Sequence, residues 1–326
     1  MSGAKTRRLA VFIVVVVLAL LSCRPEEDRT VPASPMTDEG FFEGDGGVRL
    51  FYRRVPGPGG VVVAIHGGPG ADSAYLQPDL APLTRSRTLV TYDQRGGGRS
   101  ELVAEEERLS IDHHVKDLER LRQHLGLERL TLLAHSFGPI LAAKYAIAHP
   151  DRVDRMIFIG PLPPRRADIW ERFQAAMEAR LTPEERERMA EAYSQIVEGP
   201  DTVAACRKFW SIALKPRLAD LVSTDVVKGD LCAAPPEAIR HGMTVTNRAT
   251  MASLGDWDLT GDLAGVQAPT LVIHGEQEAI PMDLVEEWTG FLPNARLLRV
   301  PGAAHFPYVE RPDLVWPEIA RFLDGD

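Results

Sequence analysis

Short apolar runs, separated by segments of helical periodicity, constrain this chain more than any other feature. VRLFYRR (48–54), VVVAIH (61–66), TLVTY (88–92), LTLLAHS (130–136), MIFIG (156–160), PTLVIHG (269–275) and ARLLRVPGAAH (295–305) are strand-like, and most lack polar alternation. A strand that is apolar on both sides must be covered on both faces, as in a parallel sheet between helices. Between the strands, Ile111, Val115, Leu118, Leu121 and Leu125 form an apolar stripe at helical spacing, and FGPILAAKYAIAHP (137–150) also reads as helix. The polar stretch between 66 and 88 is suited to a helix. The alternation predicts an α/β fold, a mostly parallel sheet with helices on both faces. From 161 to 250 it stops. Pro161, Pro163 and Pro164 open charged helical patterns such as ERFQAAMEARL and PEERERMAEAYSQIV, with no strand signal. About ninety residues are too many for a loop. A core of 41–160 and 251–326 is therefore expected, interrupted by a helical cap at 161–250.

The N-terminus reads as an address. Lys5, Arg7 and Arg8 precede the apolar run LAVFIVVVVLALL. That run is shorter than the roughly 18 residues of a spanning helix and has the form of a secretory signal. Its ending, Leu20-Leu21-Ser22-Cys23, resembles a bacterial lipobox. The resemblance implies a signal peptide at 1–22, lipidation of Cys23, and an exported protein anchored by lipid to a bacterial membrane, on its periplasmic or cell-surface side. Residues 23–40 are polar and Pro-containing, as in a flexible tether. With Cys23 assigned to lipid, Cys206 and Cys232 remain, both in the helical insertion. Export favours a disulfide between them, and two buried free thiols are the alternative.

Composition excludes several classes. Hydrophobic residues at 44 % and charged residues at 25 % rule out wholesale disorder. The net charge of −9 opposes binding to nucleic acid, which depends on neutralising phosphates. Removing 1–22 takes three basic residues and no acidic one, which deepens it to −12. Neither Cys-x-x-Cys nor a Cys/His cluster occurs, so no metal site and no cofactor is expected.

Four sequence pieces carry chemistry. In Leu132-Leu133-Ala134-His135-Ser136-Phe137-Gly138 an apolar strand runs into a serine and a helix follows at once. A sharp strand-to-helix turn exposes a nucleophilic oxygen, and it needs small residues two before and two after, here Ala134 and Gly138. His66-Gly67-Gly68-Pro69-Gly70 follows a strand. Its Gly68 N–H, with that of Phe137, could stabilise the oxyanion of acyl transfer. His305 follows the last strand and suits a general base. Glu278 follows the penultimate strand and suits the acid that orients it. Each has a plainer reading as helix cap, tight turn or structural histidine. The chain order serine, acid, histidine, each at a strand's C-terminal end, favours the catalytic one.

HGGPG at 66–70 and Asp93-Gln94-Arg95-Gly96-Gly97-Gly98-Arg99-Ser100 resemble the proline iminopeptidase branch of the α/β-hydrolases, and the resemblance runs from Phe41 to the C-terminus. It implies Ser136 as nucleophile, His305 as base, an acid at 278, a cap over the site, and support of the site floor by His66, Gly67, Asp93, Arg95 and Arg99. Three positions depart from that branch. The acid is Glu rather than Asp, with Asp283 the nearest aspartate. The turn is AHSFG rather than GGSWG. The cap reads Trp210-Ser211-Ile212-Ala213-Leu214, without the second Trp and the Glu that helps hold a substrate's amine. Glu171, Glu178 and Glu237 in the cap read as a solvated face. The sequence therefore points to a serine hydrolase acting through an acyl-enzyme on small amide or ester substrates, an aminopeptidase of this branch or a carboxylesterase. A lyase or haloperoxidase-like activity and a non-catalytic binding protein are the rival classes. Ser136 excludes hydrolases that use an aspartate nucleophile.

Overall fold

The computed structural model describes residues 37–220 and 222–325. The expected signal at 1–22, Cys23 and most of the tether lie outside the described residues. Eight strands form one sheet: β1 (Asp38–Glu43), β2 (Arg49–Val55), β3 (Val61–Ile65), β4 (Thr88–Tyr92), β5 (Leu130–His135), β6 (Val153–Ile159), β7 (Thr270–Gly275) and β8 (Ala295–Val300). Their order is β1-β2-β4-β3-β5-β6-β7-β8. β2 pairs antiparallel with β1 and β4, and every other pairing is parallel.

The central strands alternate between two cores. Val63, Ile65, Leu132, Ala134, Met156, Phe158 and Val272 face one, and Val62, Ala64, Leu133, Ile157, Ile159, Leu271 and Ile273 face the other. Two apolar faces explain why these strands read as unbroken apolar runs. The helices are α1 (Ile111–His124), α2 (Gly138–Ala148), α3 (Ile169–Ala179), α4 (Pro183–Glu198), α5 (Thr202–Ala213), α6 (Pro236–His241), α7 (Asn247–Leu254), α8 (Thr260–Leu263), α9 (Met282–Phe291), α10 (Pro307–Glu310) and α11 (Pro312–Asp324). The first core is covered by α1, α2 and α9, with Leu118, Leu141 and Trp288 buried in it. The second is covered by α11, through Val315, Ile319 and Phe322.

Two expectations are corrected. The tether ends before residue 40, because Asp38–Gly40 already belong to β1. There Phe42 is buried against Tyr92 and Glu39 pairs with Arg53 at 3.3 Å, so the ladder draws the polar residues in. The stretch between β3 and β4 contains no α-helix. It forms two 3₁₀ turns, Ser73–Tyr75 and Ala81–Arg85. Pro69, Pro78 and Pro82, each lacking an N–H, interrupt any longer run, while Leu76, Leu80 and Leu83 still bury.

Between β6 and β7 lie the helices α3 to α8. α4 starts on a capping box in which Thr182 accepts from the Glu185 N–H at 3.2 Å and Glu185 accepts from the Thr182 N–H at 3.1 Å. α4, α5, α6 and the segment before α6 share a small apolar cluster of Ile196, Ala205, Cys206, Cys232, Ala238 and Ile239. Cys206 and Cys232 form a disulfide, with Cα atoms 6.0 Å apart and a sequence separation of 26. Closing a loop of that length restricts the unfolded chain by roughly 3 kcal/mol. Denatured protein from an oxidising compartment should therefore show no free thiol at these positions until reduced. Replacing both cysteines by alanine should cost about that amount in thermal unfolding.

Candidate active site

The serine turn is built at the end of β5. Ser136 has φ 63, in the left-handed region that a residue with a Cβ enters at a cost. Two backbone bonds hold it there. Its N–H donates to Ile159 O of β6 at 2.9 Å, and its carbonyl accepts from the Leu162 N–H at 2.9 Å. The loop after β3 passes so close that a Cβ on Gly67 would lie 2.8 Å from Ser136 Cβ, which is why glycine stands there. Among the described residues neither the Gly68 N–H nor the Phe137 N–H donates to another group, so both are available to an oxyanion.

Glu278 and His305 meet beside this turn. Glu278 Oε2 lies 2.7 Å from His305 Nδ1, and both side chains are buried. Burial alone would raise the Glu278 carboxyl; the adjacent His305 imidazole outweighs it and holds the group at about 2. An ionised Glu278 accepts the proton of Nδ1, so a neutral His305 presents an unprotonated Nε2. The His305 N–H donates to Arg217 O at 3.0 Å. Gly160, at the end of β6, leaves the space the pair occupies: a Cβ there would be 3.1 Å from His305 O and 3.2 Å from Nδ1. Among the described residues no hydrogen bond joins Ser136 Oγ to His305. His135, the residue before Ser136, lies beside His305, with its ring 4.7 Å from that of His305. Asp283 is elsewhere, exposed and held by Arg172 at 2.7 and 2.8 Å.

His135 and Tyr75, which the sequence reading overlooked, link the HGGPG loop to His305. The His305 carbonyl can only accept, so His135 Nε2–H donates to it at 2.9 Å. His135 Nδ1 is then unprotonated and accepts from the Tyr75 hydroxyl at 2.8 Å, and the hydroxyl oxygen accepts from the Gly67 N–H at 2.6 Å. Burial keeps His135 neutral by lowering its pKa to about 3, so every proton in this chain has one assignment. A histidine immediately before the serine was the one available sequence signal, and Tyr75 had none.

The other expected supports fall into place differently. His66 Nε2 accepts from the Gln94 N–H at 3.0 Å, and Gln94 Nε2 donates to His66 O at 2.9 Å, which ties HGGPG to DQRG. Asp93 accepts from the Ser73 N–H and hydroxyl and from the Arg99 N–H. Arg95 is fully buried, but it donates to Asp117 of α1 at 2.6 Å through both Nε and Nη2, so it braces α1. Arg99 stacks 3.4 Å over the Phe51 ring.

A cavity of about 360 Å³ opens beside Gly68. Asp72 and Tyr75 line its sheet side, and Trp210, Arg217, Ile239 and Met243 line its helical side. Glu171, Glu178 and Glu237 are exposed and do not line it.

A mostly parallel sheet with a serine turn, a carboxylate and a histidine after the C-terminal ends of three of its strands is the framework of an α/β hydrolase. The chain belongs to that family: the family model described as the alpha/beta hydrolase fold matches residues 60–312. It is a hydrolase of this fold. A proline iminopeptidase of Heyndrickxia coagulans is 26 % identical to it over 89 % of this chain and 100 % of that protein. A solved proline iminopeptidase of Mycobacterium smegmatis matches with a TM-score of 0.63 and 24 % identity, covering 88 % of this chain and 98 % of that one. A thermophilic esterase from Thermogutta terrifontis matches with a TM-score of 0.63 and 22 % identity, over 88 % and 98 % of the two chains.

The 2.7 Å contact predicts which carboxylate matters. Glu278→Gln should lower kcat/KM by about 10³-fold, because it removes the charge that orients and stabilises the imidazole. Asp283→Asn should stay within about twofold, as expected for an exposed ion pair remote from the histidine. Nitrophenyl ester hydrolysis checks both.

Proposed function

We propose that this protein is an exported aminopeptidase of the proline iminopeptidase type, working through an acyl-enzyme at Ser136. The reading rests above all on the buried Glu278–His305 pair beside the Ser136 turn, with the N–H groups of Gly68 and Phe137 left without an acceptor among the described residues. His305 Nε2 takes the proton of Ser136 Oγ as the oxygen attacks the scissile carbonyl. The Gly68 and Phe137 N–H groups receive the developing oxyanion. The imidazolium gives its proton to the leaving amine, and the C–N bond breaks. His305 then takes a proton from water, which attacks the acyl carbon and restores the serine. Glu278 stays ionised throughout.

The peptidase assignment draws on HGGPG, on DQRGGGRS, and on the relative from Heyndrickxia coagulans. One observation favours carboxylesterase activity instead: Trp210 is not followed by the second Trp and the Glu of the W-S-x-W-E pattern. A panel of aminoacyl-naphthylamides and short-chain nitrophenyl esters on residues 24–326 decides between them. Ser136→Ala should lower turnover by about 10⁶-fold and abolish fluorophosphonate labelling with the fold intact. Activity retained within tenfold would refute the assignment of Ser136.

The lipobox-like Leu20–Cys23 supports a lipid anchor at Cys23, facing the periplasm or the cell surface. Cys23→Ser should then move the protein from the membrane fraction to the soluble one and stop incorporation of labelled fatty acid. A variant that stays membrane-bound would point to an uncleaved helix.

A further inference from the structure

The cavity beside Gly68 is lined by two ionisable side chains, Asp72 and Arg217, that form no salt bridge among the described residues. Asp72, 6 % exposed, is on its sheet side. One carboxylate oxygen caps the turn at Ser73–Tyr75 by accepting from the Ala74 N–H at 2.8 Å. The other has no hydrogen-bond partner among the described residues and is not sealed from the cavity. Burial and the neighbouring Asp93 push the group up to about 7, Asp230 adds to this, and the Ala74 N–H and the Arg99 cation oppose it only in part. A carboxylate this dry, next to other carboxylates, keeps its charge best when a cation docks against it.

Arg217 is on the helical side, half-buried. Its Nη1 donates to Ala213 O at 2.6 Å, and its guanidinium carbon is 5.4 Å from the centre of the Trp210 ring. No carboxylate pairs with it among the described residues. The acid it feels is Glu278, which is already bound to His305. Burial lowers its pKa to about 10, which leaves it a cation at neutral pH.

The chemistry assigns the two ends. The acyl carbonyl of a substrate sits in the oxyanion loop, and the leaving group departs on the side of the histidine that protonates it. Asp72 follows Gly68 in the oxyanion loop. The Arg217 carbonyl holds the His305 N–H at 3.0 Å. We propose that the cavity takes short peptides with both termini free, the N-terminal ammonium on Asp72 and the C-terminal carboxylate of a small leaving residue on Arg217. Ile239 and Met243 supply an apolar wall for the N-terminal side chain. This rests on the acyl-enzyme peptidase reading and narrows it to dipeptide-sized substrates.

Three substrates separate the ends: prolylalanine carries both charges, prolyl-naphthylamide the ammonium alone, and nitrophenyl butyrate neither. Asp72→Asn keeps the turn cap and should lower kcat/KM for both prolyl substrates, relative to the ester, by about 30-fold or more. Arg217→Met keeps an apolar stem against Trp210 and should lower kcat/KM for prolylalanine, relative to prolyl-naphthylamide, by a similar factor. Thermal unfolding and circular dichroism check that each variant folds. If one does not, Asp72→Glu or Arg217→Lys, which keep the charge and change its reach or geometry, should shift the same ratio through KM. Parental ratios within twofold in folded variants overturn the proposal and leave the peptidase reading standing. A parent enzyme that cleaves the ester but neither prolyl substrate overturns that reading, and the proposal with it.

Discussion

The left-handed turn at Ser136 is the constraint on which the site depends. A residue with a side chain stays at φ 63 only if its surroundings leave no relaxed alternative. β6 fixes the N–H and the segment after β6 fixes the carbonyl, so the turn is held by the centre of the sheet. β5 lies between β3 and β6, which places the turn between the HGGPG loop after β3 and Gly160 after β6. Gly67 and Gly160 follow from that crowding, since a Cβ on Gly67 would collide with Ser136 and one on Gly160 would press tightly on His305.

Electrostatics around the histidine is arranged by burial. A lone carboxylate at Glu278 would be pushed toward protonation, and contact with His305 reverses that. Burial keeps His135 neutral, and the chain from Gly67 through Tyr75 and His135 to the His305 carbonyl transmits position without introducing a second charge. The His305 N–H is fixed by Arg217, from the helical segment between β6 and β7, so that segment contributes to the placement of the histidine as well as to the cavity.

That helical segment has a small core of its own, stapled by the Cys206–Cys232 disulfide. It rests on the DQRGGGRS loop through Gly96 O, which accepts from His241 Nδ1–H at 3.0 Å and from the Thr246 hydroxyl at 2.7 Å. The loop thus connects the sheet, the HGGPG turn and the helices, a supporting role that matches its lack of any reacting group.

The residues alone determined the sheet and the chain order of serine, acid and histidine. Strands buried on both faces are apolar along their whole length, and α1 carries its stripe on one side, so local pattern and tertiary burial coincide. β1 escaped because only Phe41 and Phe42 mark it and its pairing with β2 supplies the rest. The helix expected before β4 failed because prolines outweighed polarity. Glu278 and Asp283 are five residues apart and chemically alike, and only folding shows that one meets His305 and the other Arg172. Tyr75, Asp72 and Arg217 were decided by tertiary structure alone. A side chain's partners across a cavity depend on which strand ends and helices converge, and no local periodicity records that.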